Sequence, residues 1–345
     1  MQFRAIGNPD GSSNFLAGEE KICVVIPMYR VEPYIRQVIA DIPDWVWRII
    51  AVDDASPDHS AEVVASLHDE RVILVRCPAN QGVGGAVLAG FNKALELGAR
   101  VAVKVDGDGQ MNCEYLWEMV EPILSGRADY TKGNRFFHTR EIYHMPLSRR
   151  IGNLGLSFMT KVTSGYWNVF DPTNGYVAID LNTFASLDIE RIERRYFFEI
   201  SMLVELNLAR AVVYEVPMPA YYHGETSSLP VARSLFDFSH RLVRSAIRRI
   251  WLQYFVMDFS IGSLEIVIGA ALILFGGIWG LHYWQKSILT GIPASTGTVM
   301  IAVLPLILGF QLWLQSLAYD IQNVPRTVIP GRLRRLPASQ KGEED

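Results

Sequence analysis

Cysteine is nearly absent. Three in 345 residues (Cys23, Cys77 and Cys113) are too few and too far apart for a disulfide framework, and no C-x-x-C pair offers a zinc site. A reducing compartment is the reading that follows. A surplus of one charge is missing as well. The 32 Lys and Arg against 36 Asp and Glu leave a net charge of −4, which gives no bulk field for nucleic acid. The opening MQFRAIGNPDGSSNF lacks the apolar run of a secretory signal, so no cleaved leader is expected. Internal repeats and low-complexity tracts are also lacking, and 50% hydrophobic residues exclude disorder as the main state.

Charge itself vanishes from two stretches. Phe259 to Trp284 holds one acid, Glu265, and no Lys or Arg; Ile292 to Ala318 holds no charge. Each exceeds the ~20 residues that cross a hydrocarbon core. They predict transmembrane helices over 257–284 and 296–319, joined by an external loop over 285–295 and followed by a basic tail over 320–345. Pro305 would kink the second span, and Trp284 and Trp313 would sit near span ends, where indoles favour the interface. Arg241, Arg244, Arg248 and Arg249 precede the first span. Arg326, Arg332, Arg334 and Arg335 follow the second, and the connection carries only Lys286. Positive-inside bias then puts both termini and the N-terminal domain in the cytoplasm. Over 231–256, Leu235, Phe238, Leu242, Ala246 and Ile250 recur at helical spacing among five arginines, predicting an amphipathic helix on an anionic membrane surface.

Residues 21–230, after an N-terminal tail of 1–20, alternate strand and helix patterns. KICVVIP, WRIIAV, Val72–Arg76 and VAVKV read as buried strands; Val31–Ile42, Ala61–Leu67 and Gly84–Leu97 read as helices. This predicts an α/β domain with a mostly parallel sheet, whose ligands bind beyond the carboxyl ends of the strands. Acidic residues sit at those ends. In DGDGQ, Asp106 and Asp108 stand at i and i+2 with glycine between. They suit one hard cation, Mg²⁺ or Mn²⁺, with Gln110 as a further oxygen ligand. In VDDASPDHS, Asp53 and Asp54 end a strand where a carboxylate can accept a nucleobase N–H, while Asp58 or Ser60 caps the next helix. The glycines of NQGVGGAVLAGF, Gly82 among them, allow either close backbone approach at a helix N-terminus or simple packing. A Walker lysine is absent.

Taken in order, VVIPMYRVE, AVDDASPD, NQGVGGAVLAG, VDGDGQ, KGNRF, DPTNGYVAID, FFEISML and HGETSSL resemble the family 2 glycosyltransferases. The branch they resemble is that of the dolichol-phosphate mannose synthases and other polyprenyl-phosphate glycosyltransferases. The resemblance implies a GT-A, Rossmann-like nucleotide-sugar domain followed by the juxtamembrane helix and two spans, in a plasma or bacterial inner membrane. It implies that Asp54 meets the base beside Pro27 and Tyr29. Asp106, Asp108 and Gln110 would hold the metal on the donor diphosphate, and Arg135 would meet phosphate. Arg149 and Arg150 would face the acceptor lipid phosphate, with guanidinium geometry suited to it. Two positions depart from the pattern. Val31 stands where the family has glutamate, with only Glu32 nearby. Tyr221 stands where the family often has arginine, leaving His223 and Arg233 as candidates for the acceptor phosphate.

The expected partners are a nucleotide sugar, a polyprenyl phosphate and the membrane. Gly269, Gly276 and Gly277 would permit close helix packing, so a homo-oligomer is compatible with the sequence. A lipid monophosphate is already ionised near neutral pH and needs no protein base; Glu199 would be the base if the acceptor were a hydroxyl. Two other functions compete. One is a processive polysaccharide synthase, although no Q-x-x-R-W segment is present. The other is a membrane scaffold with a degenerate transferase domain, against which DGDGQ and Arg135 count.

Overall fold

The structure is a computed structural model that describes residues 20–135, 147–219 and 231–329, with the side chains of 147–153 and 231–238 left aside. The first half builds β1 (Ile22–Met28), α1 (Ile35–Ala40), β2 (Arg48–Asp53), α2 (Ser60–Ala65), β3 (Val72–Arg76), α3 (Val83–Glu96) and β4 (Val101–Lys104). Then follow α4 (Leu116–Leu124), β5 (Tyr130–Asn134), α5 (Leu147–Ser164), β6 (Val177–Asp180), α6 (Leu181–Ala185), α7 (Phe198–Leu208) and β7 (Val213–Pro217). The seven strands lie in the order β3-β2-β1-β4-β6-β5-β7. The β1–β2, β2–β3, β1–β4 and β5–β7 pairs are parallel; β6 runs antiparallel to both β4 and β5.

The sheet is buried on both sides because its strands are apolar at successive positions. On β1, Ile22, Val24 and Ile26 join one core with α1 and α4, while Cys23 and Val25 join the other with α3 and α7. The chain leaves β1 toward β2 and β3, then returns to place β4 on the opposite side of β1. That reversal opens a crevice at the carboxyl ends of β1 and β4, where open α/β sheets bind ligands. Gly90 lets α3 lie against the sheet: a Cβ there would stand 2.2 Å from Val25 Cγ1.

The expected strands and helices form within a residue or two of their predicted bounds, except α1, which begins later because Val31 and Glu32 are tied to the α2 segment. Val31 N–H donates to Ser60 Oγ, Glu32 N–H donates to Asp58, and Glu32 Oε2 accepts from His59 N–H. Burial alone would raise the Asp58 carboxyl, but hydrogen bonds from Ser56, Ser60 and Glu32 outweigh it and hold the pKa at about 2.

The juxtamembrane helix α8 (Val231–Trp251) runs into one wider π turn over Leu252–Met257. Two long helices follow, α9 (Ile261–Thr290) and α10 (Thr296–Gln322), both long and apolar enough to cross a membrane and largely unburied by protein. The helix α9 runs on to Thr290, so Lys286 lies in its last turns and residues 291–295 join it to α10. Trp313 packs against Gly269 and donates to the Ile266 carbonyl at 3.3 Å. Gly269 and Gly276 serve the hairpin itself, since a Cβ at Gly276 would lie 2.6 Å from the Ala302 carbonyl oxygen. Gly277 has open space around it.

Three arginines of α8 pair with carboxylates of the protein. Arg249 is buried and bonds Asp320 of α10 with both terminal nitrogens, at 2.8 and 3.1 Å. Arg241 pairs with Glu193 and Arg248 with Glu205. The exposed side of α8 carries Val243, Ile247 and Trp251, alongside Leu154 and Phe158 of α5. Val243, Ile247 and Trp251 thus give α8 an exposed apolar stripe, beside which Arg244 also stays exposed. Past α10, Asn323 accepts from Arg210 and Ile329 N–H donates to Asp129 at 2.9 Å. Both ends of the hairpin therefore meet the same domain. In a Cys77→Ser background, cysteines placed at Leu289 and at Ser125 should label from opposite sides of the membrane; labelling from one side would rule out a spanning hairpin.

Candidate functional site

Two cavities meet at the carboxyl ends of β1 and β4. The first, about 480 Å³, is lined by Pro27, Tyr29, Val31, Asp54, Gly82 and Arg195, with Asp106 and Asp108 at its inner end. The second, about 310 Å³, also has Asp106 and Asp108 in its wall, and adds Gln110, Arg135, Asn174, Tyr176 and Glu199. The aspartates of DGDGQ thus stand where the two cavities join.

Asp54 is 2% exposed, and its two carboxylate oxygens accept from Gln81 N–H at 2.7 Å and Gly82 N–H at 2.8 Å. It holds the glycine loop against β2 while keeping lone pairs toward the cavity. Asp53 accepts from Ser56 N–H at 2.9 Å and lines neither cavity; its job among the described residues is to close the turn. Glu32 does not replace the missing glutamate, being tied to His59, so Val31 presents an apolar surface there. Gly82 has φ +86°, and a Cβ on it would meet the Arg194 carbonyl oxygen at 2.7 Å. Packing alone already requires that glycine, since the loop lies directly against the 193–195 segment, and the same residue lines the first cavity.

Charge beneath the second cavity is balanced by residues the sequence reading missed. Lys104, almost wholly buried, ion-pairs with Asp106 Oδ1 at 2.7 Å and donates to the Gly175 carbonyl at 3.1 Å. Lys132 is fully buried on β5 and donates to the Asn174 carbonyl. Burial lowers the Lys132 pKa to about 8, with Glu199 and Asp171 opposing that shift and Lys104 and Arg135 adding to it. Arg135 makes a two-point contact with Asp171, Nε to Oδ2 at 2.8 Å and Nη2 to Oδ1 at 3.1 Å. Asp171 is held in turn by Glu215, whose carboxylate accepts from the Phe170 and Asp171 amides. Burial raises the Glu215 pKa, and hydrogen bonds from Asp171, Phe170 and Asn134 offset part of that. A lysine inside an otherwise apolar strand, VAVKV, was the one signal for this cluster.

Glu199 is not held by Arg194 or Arg195. It lines the second cavity, while Arg194 bonds Gln81 and Arg195 lines the first. Arg149 and Arg150 fall in the first turn of α5 and Arg233 in the first turn of α8, with side chains outside the described set; His223 and Tyr221 lie outside the described residues. Among the described residues no three His, Cys, Asp or Glu side chains form a ready-made metal site. The donor set at Asp106 and Asp108 nevertheless fits a hard cation that takes its remaining ligands from diphosphate oxygens. Gln110 N–H braces Asp108 Oδ1 at 3.0 Å, and Lys104 braces Asp106.

The fold and this crevice define an α/β nucleotide-sugar-type domain on a two-helix hairpin, and sequence comparison names the family. Residues 23–186 match the family model described as glycosyl transferase family 2. The chain is 31% identical over 219 residues to UDP-N-acetylglucosamine–dolichyl-phosphate N-acetylglucosaminyltransferase of Methanococcus voltae, covering 59% of this chain and 87% of that protein. It is 28% identical to undecaprenyl-phosphate mannosyltransferase of Micrococcus luteus, covering 57% and 82%. A glucosyl-3-phosphoglycerate synthase from Mycobacterium tuberculosis, solved with Mn²⁺ and UDP, superposes with a TM-score of 0.49 at 19% identity, covering 67% of this chain and 78% of that one. The chain belongs to glycosyl transferase family 2.

Removing the Asp171 carboxylate should take away the buried anion that balances Lys132 and orients the part-exposed Arg135. Solvent reaches Arg135, so the loss should be smaller than for a fully buried pair, about 1–3 kcal/mol. Asp171→Ala should therefore lower the thermal midpoint of the full chain by several degrees, followed by circular dichroism in detergent. An unchanged midpoint would mean that Arg135 is not anchored there.

Proposed function

We propose that this chain transfers one sugar from a UDP- or GDP-sugar to a polyprenyl phosphate, undecaprenyl or dolichyl, at the cytoplasmic leaflet, with inversion at the anomeric carbon. The observation that carries the reading is the position of Asp106 and Asp108 at the junction of two cavities, one suited to a nucleoside and one to a sugar. The acceptors in the names of the relatives above support the lipid half of the reading, as does a hairpin fixed to the catalytic domain.

In this mechanism the nucleoside lies against Pro27, Tyr29 and Asp54, and the diphosphate crosses Asp106 and Asp108. A Mg²⁺ or Mn²⁺ held there by Asp106, Asp108 and Gln110 would neutralise charge on the departing diphosphate. Arg135, fixed by Asp171, points fixed positive charge into the second cavity, where phosphate oxyanions gather. The polar wall of Asn174, Gln110 and Tyr176 offers donors and acceptors to sugar hydroxyls. An ionised lipid phosphate attacks the anomeric carbon from the side opposite the leaving diphosphate, so no side chain need take a proton. Glu199 then serves to balance Lys132 rather than to act as a base.

Arg149 and Arg150 lie in the first turn of the helix that packs against α8 and carries exposed Leu154 and Phe158, a surface on which a lipid acceptor could rest. Cytoplasmic orientation is supported by the arginine-rich flanks, since the positive-inside bias acts at insertion, whatever those arginines later bind. Both competing functions lose ground on the same residues: Q-x-x-R-W is absent, and the carboxylate pair is intact and braced.

Mixing the full chain with nucleotide sugars and a short polyprenyl phosphate should give a sugar-phosphoryl lipid by mass. Chelator should abolish it, and Asp108→Ala should lower turnover by orders of magnitude with the fold intact. Full activity in chelator would refute the metal assignment. A charge-assisted bond is worth about 1.5–3 kcal/mol, so Arg149→Ala should cost about 10- to 100-fold with lipid acceptor and far less in donor hydrolysis by water. Equal losses in both assays would place Arg149 at the donor or in the fold.

A further inference from the structure

The helix α8 has three faces, and packing and lipid account for two of them. Leu242, Ala246 and Arg249 are buried against the domain, while Val243, Ile247 and Trp251 are exposed apolar residues at i, i+4 and i+8. Arg241, Arg244 and Arg248 make the third face, which lies about a quarter turn round the helix from the apolar one at ~100° per residue. This third face walls a cleft of about 920 Å³ whose far side is the 190–195 segment with Asn80 and Gln81.

The cleft is positively charged by composition, with six arginines against three glutamates. Internal pairing leaves the surplus in place. Arg241 is matched by Glu193 and Arg248 by Glu205. Arg194 donates to the neutral amide oxygen of Gln81 at 2.9 Å and pairs with no carboxylate among the described residues. Arg191 has an exposed partner, Asp188, at 3.7 Å, and Arg195 and Arg244 pair with no carboxylate among the described residues. An anion here meets guanidinium groups from two walls, and an apolar stripe runs beside the opening.

We propose that this cleft binds the headgroup phosphate of an anionic membrane phospholipid, whose acyl chains lie along Val243, Ile247 and Trp251. The inference rests on the membrane-seated reading of α8. It concerns a site apart from the acceptor arginines of α5. The apolar stripe beside the basic wall favours an amphiphile over a free phosphate, because a free phosphate uses only the arginines. Occupancy is linked to the nucleotide cavity. Asn80 and Arg195 line both spaces, and the Arg194 carbonyl accepts from Gly85 N–H at 3.1 Å in the glycine loop. A bound headgroup steadies the wall against which the donor nucleotide lies.

The test is direct binding, independent of glycosyl transfer, with the full chain in a neutral detergent and native mass spectrometry as readout. Short-chain phosphatidylglycerol should give a saturable one-to-one adduct, and phosphatidylcholine of equal chain length should not. Arg244→Gln combined with Arg191→Gln should weaken the adduct at least tenfold with an unchanged thermal midpoint, and Arg244→Lys alone should retain most of it. Equal binding of both lipids, or an undiminished adduct in the double variant, would overturn the proposal. Displacement of the lipid by millimolar inorganic phosphate would assign the cleft to free phosphate and overturn it too. Loss of transferase activity with the adduct intact would count against the proposed reaction and leave this site standing.

Discussion

One ion pair joins the three parts of the molecule. Arg249 on the juxtamembrane helix and Asp320 near the end of the second long helix bond at two points, and neither has polar capacity left over. All five guanidinium N–H groups are used, on Asp320, Gln253 and the carbonyls of Val162 and Thr163. Asp320 accepts also from Tyr254 at 2.6 Å and from Trp167 at 2.8 Å, which fills its four lone-pair positions. A buried charge pair is favourable only when satisfied in this way, because each ion gives up its hydration. Gly165, at φ +74°, leaves the room: a Cβ there would stand 2.7 Å from Arg249 Nη1.

The consequence reaches the crevice. Arg249 ties α5 to α8 through the two carbonyls, and α5 begins with Arg149 and Arg150. The same helix α8 meets the domain through Glu193 and Glu205, and Glu193 belongs to the segment that supports the glycine loop. Donor side and membrane side are therefore built on shared elements. On the proposed reaction this matters, because a lipid phosphate would have to reach the crevice at a fixed height above the bilayer, and a catalytic domain on a loose tether would not set that height.

Much of this was legible in the sequence, and what was not has a common cause. Strands of continuous apolar residues announce a sheet covered on both faces, and the carboxylates at their ends announce the crevice. The two charge-free stretches announce the hairpin. Partner choice was not legible. The spacing of arginines on α8 is the same whether they meet lipid or glutamate, and Asp320 lies 71 residues from Arg249. Lys104 and Lys132 look like interruptions of strands until Asp106, Asp171 and Glu199 are seen around them. Glu32 stands next to the missing glutamate in sequence, but only the fold shows its carboxylate bonded to the His59 amide. In each case local pattern gives the element, and only tertiary proximity gives the counter-charge.

The Arg249–Asp320 pair seats the catalytic domain on its hairpin, and a double-mutant cycle measures its strength. Arg249→Met alone and Asp320→Leu alone each strand a buried charge and should each cost about 3–5 kcal/mol. Replacing both partners leaves no stranded charge, only the neutral groups they had satisfied, and should cost less than the two single losses together. Unfolding of the full chain in detergent should therefore show the double variant losing less stability than the two single variants together, with an interaction free energy of at least about 2 kcal/mol, beyond the ~0.5 kcal/mol scatter of independent sites. Additive losses would contradict the claim that this pair seats the catalytic domain on its hairpin.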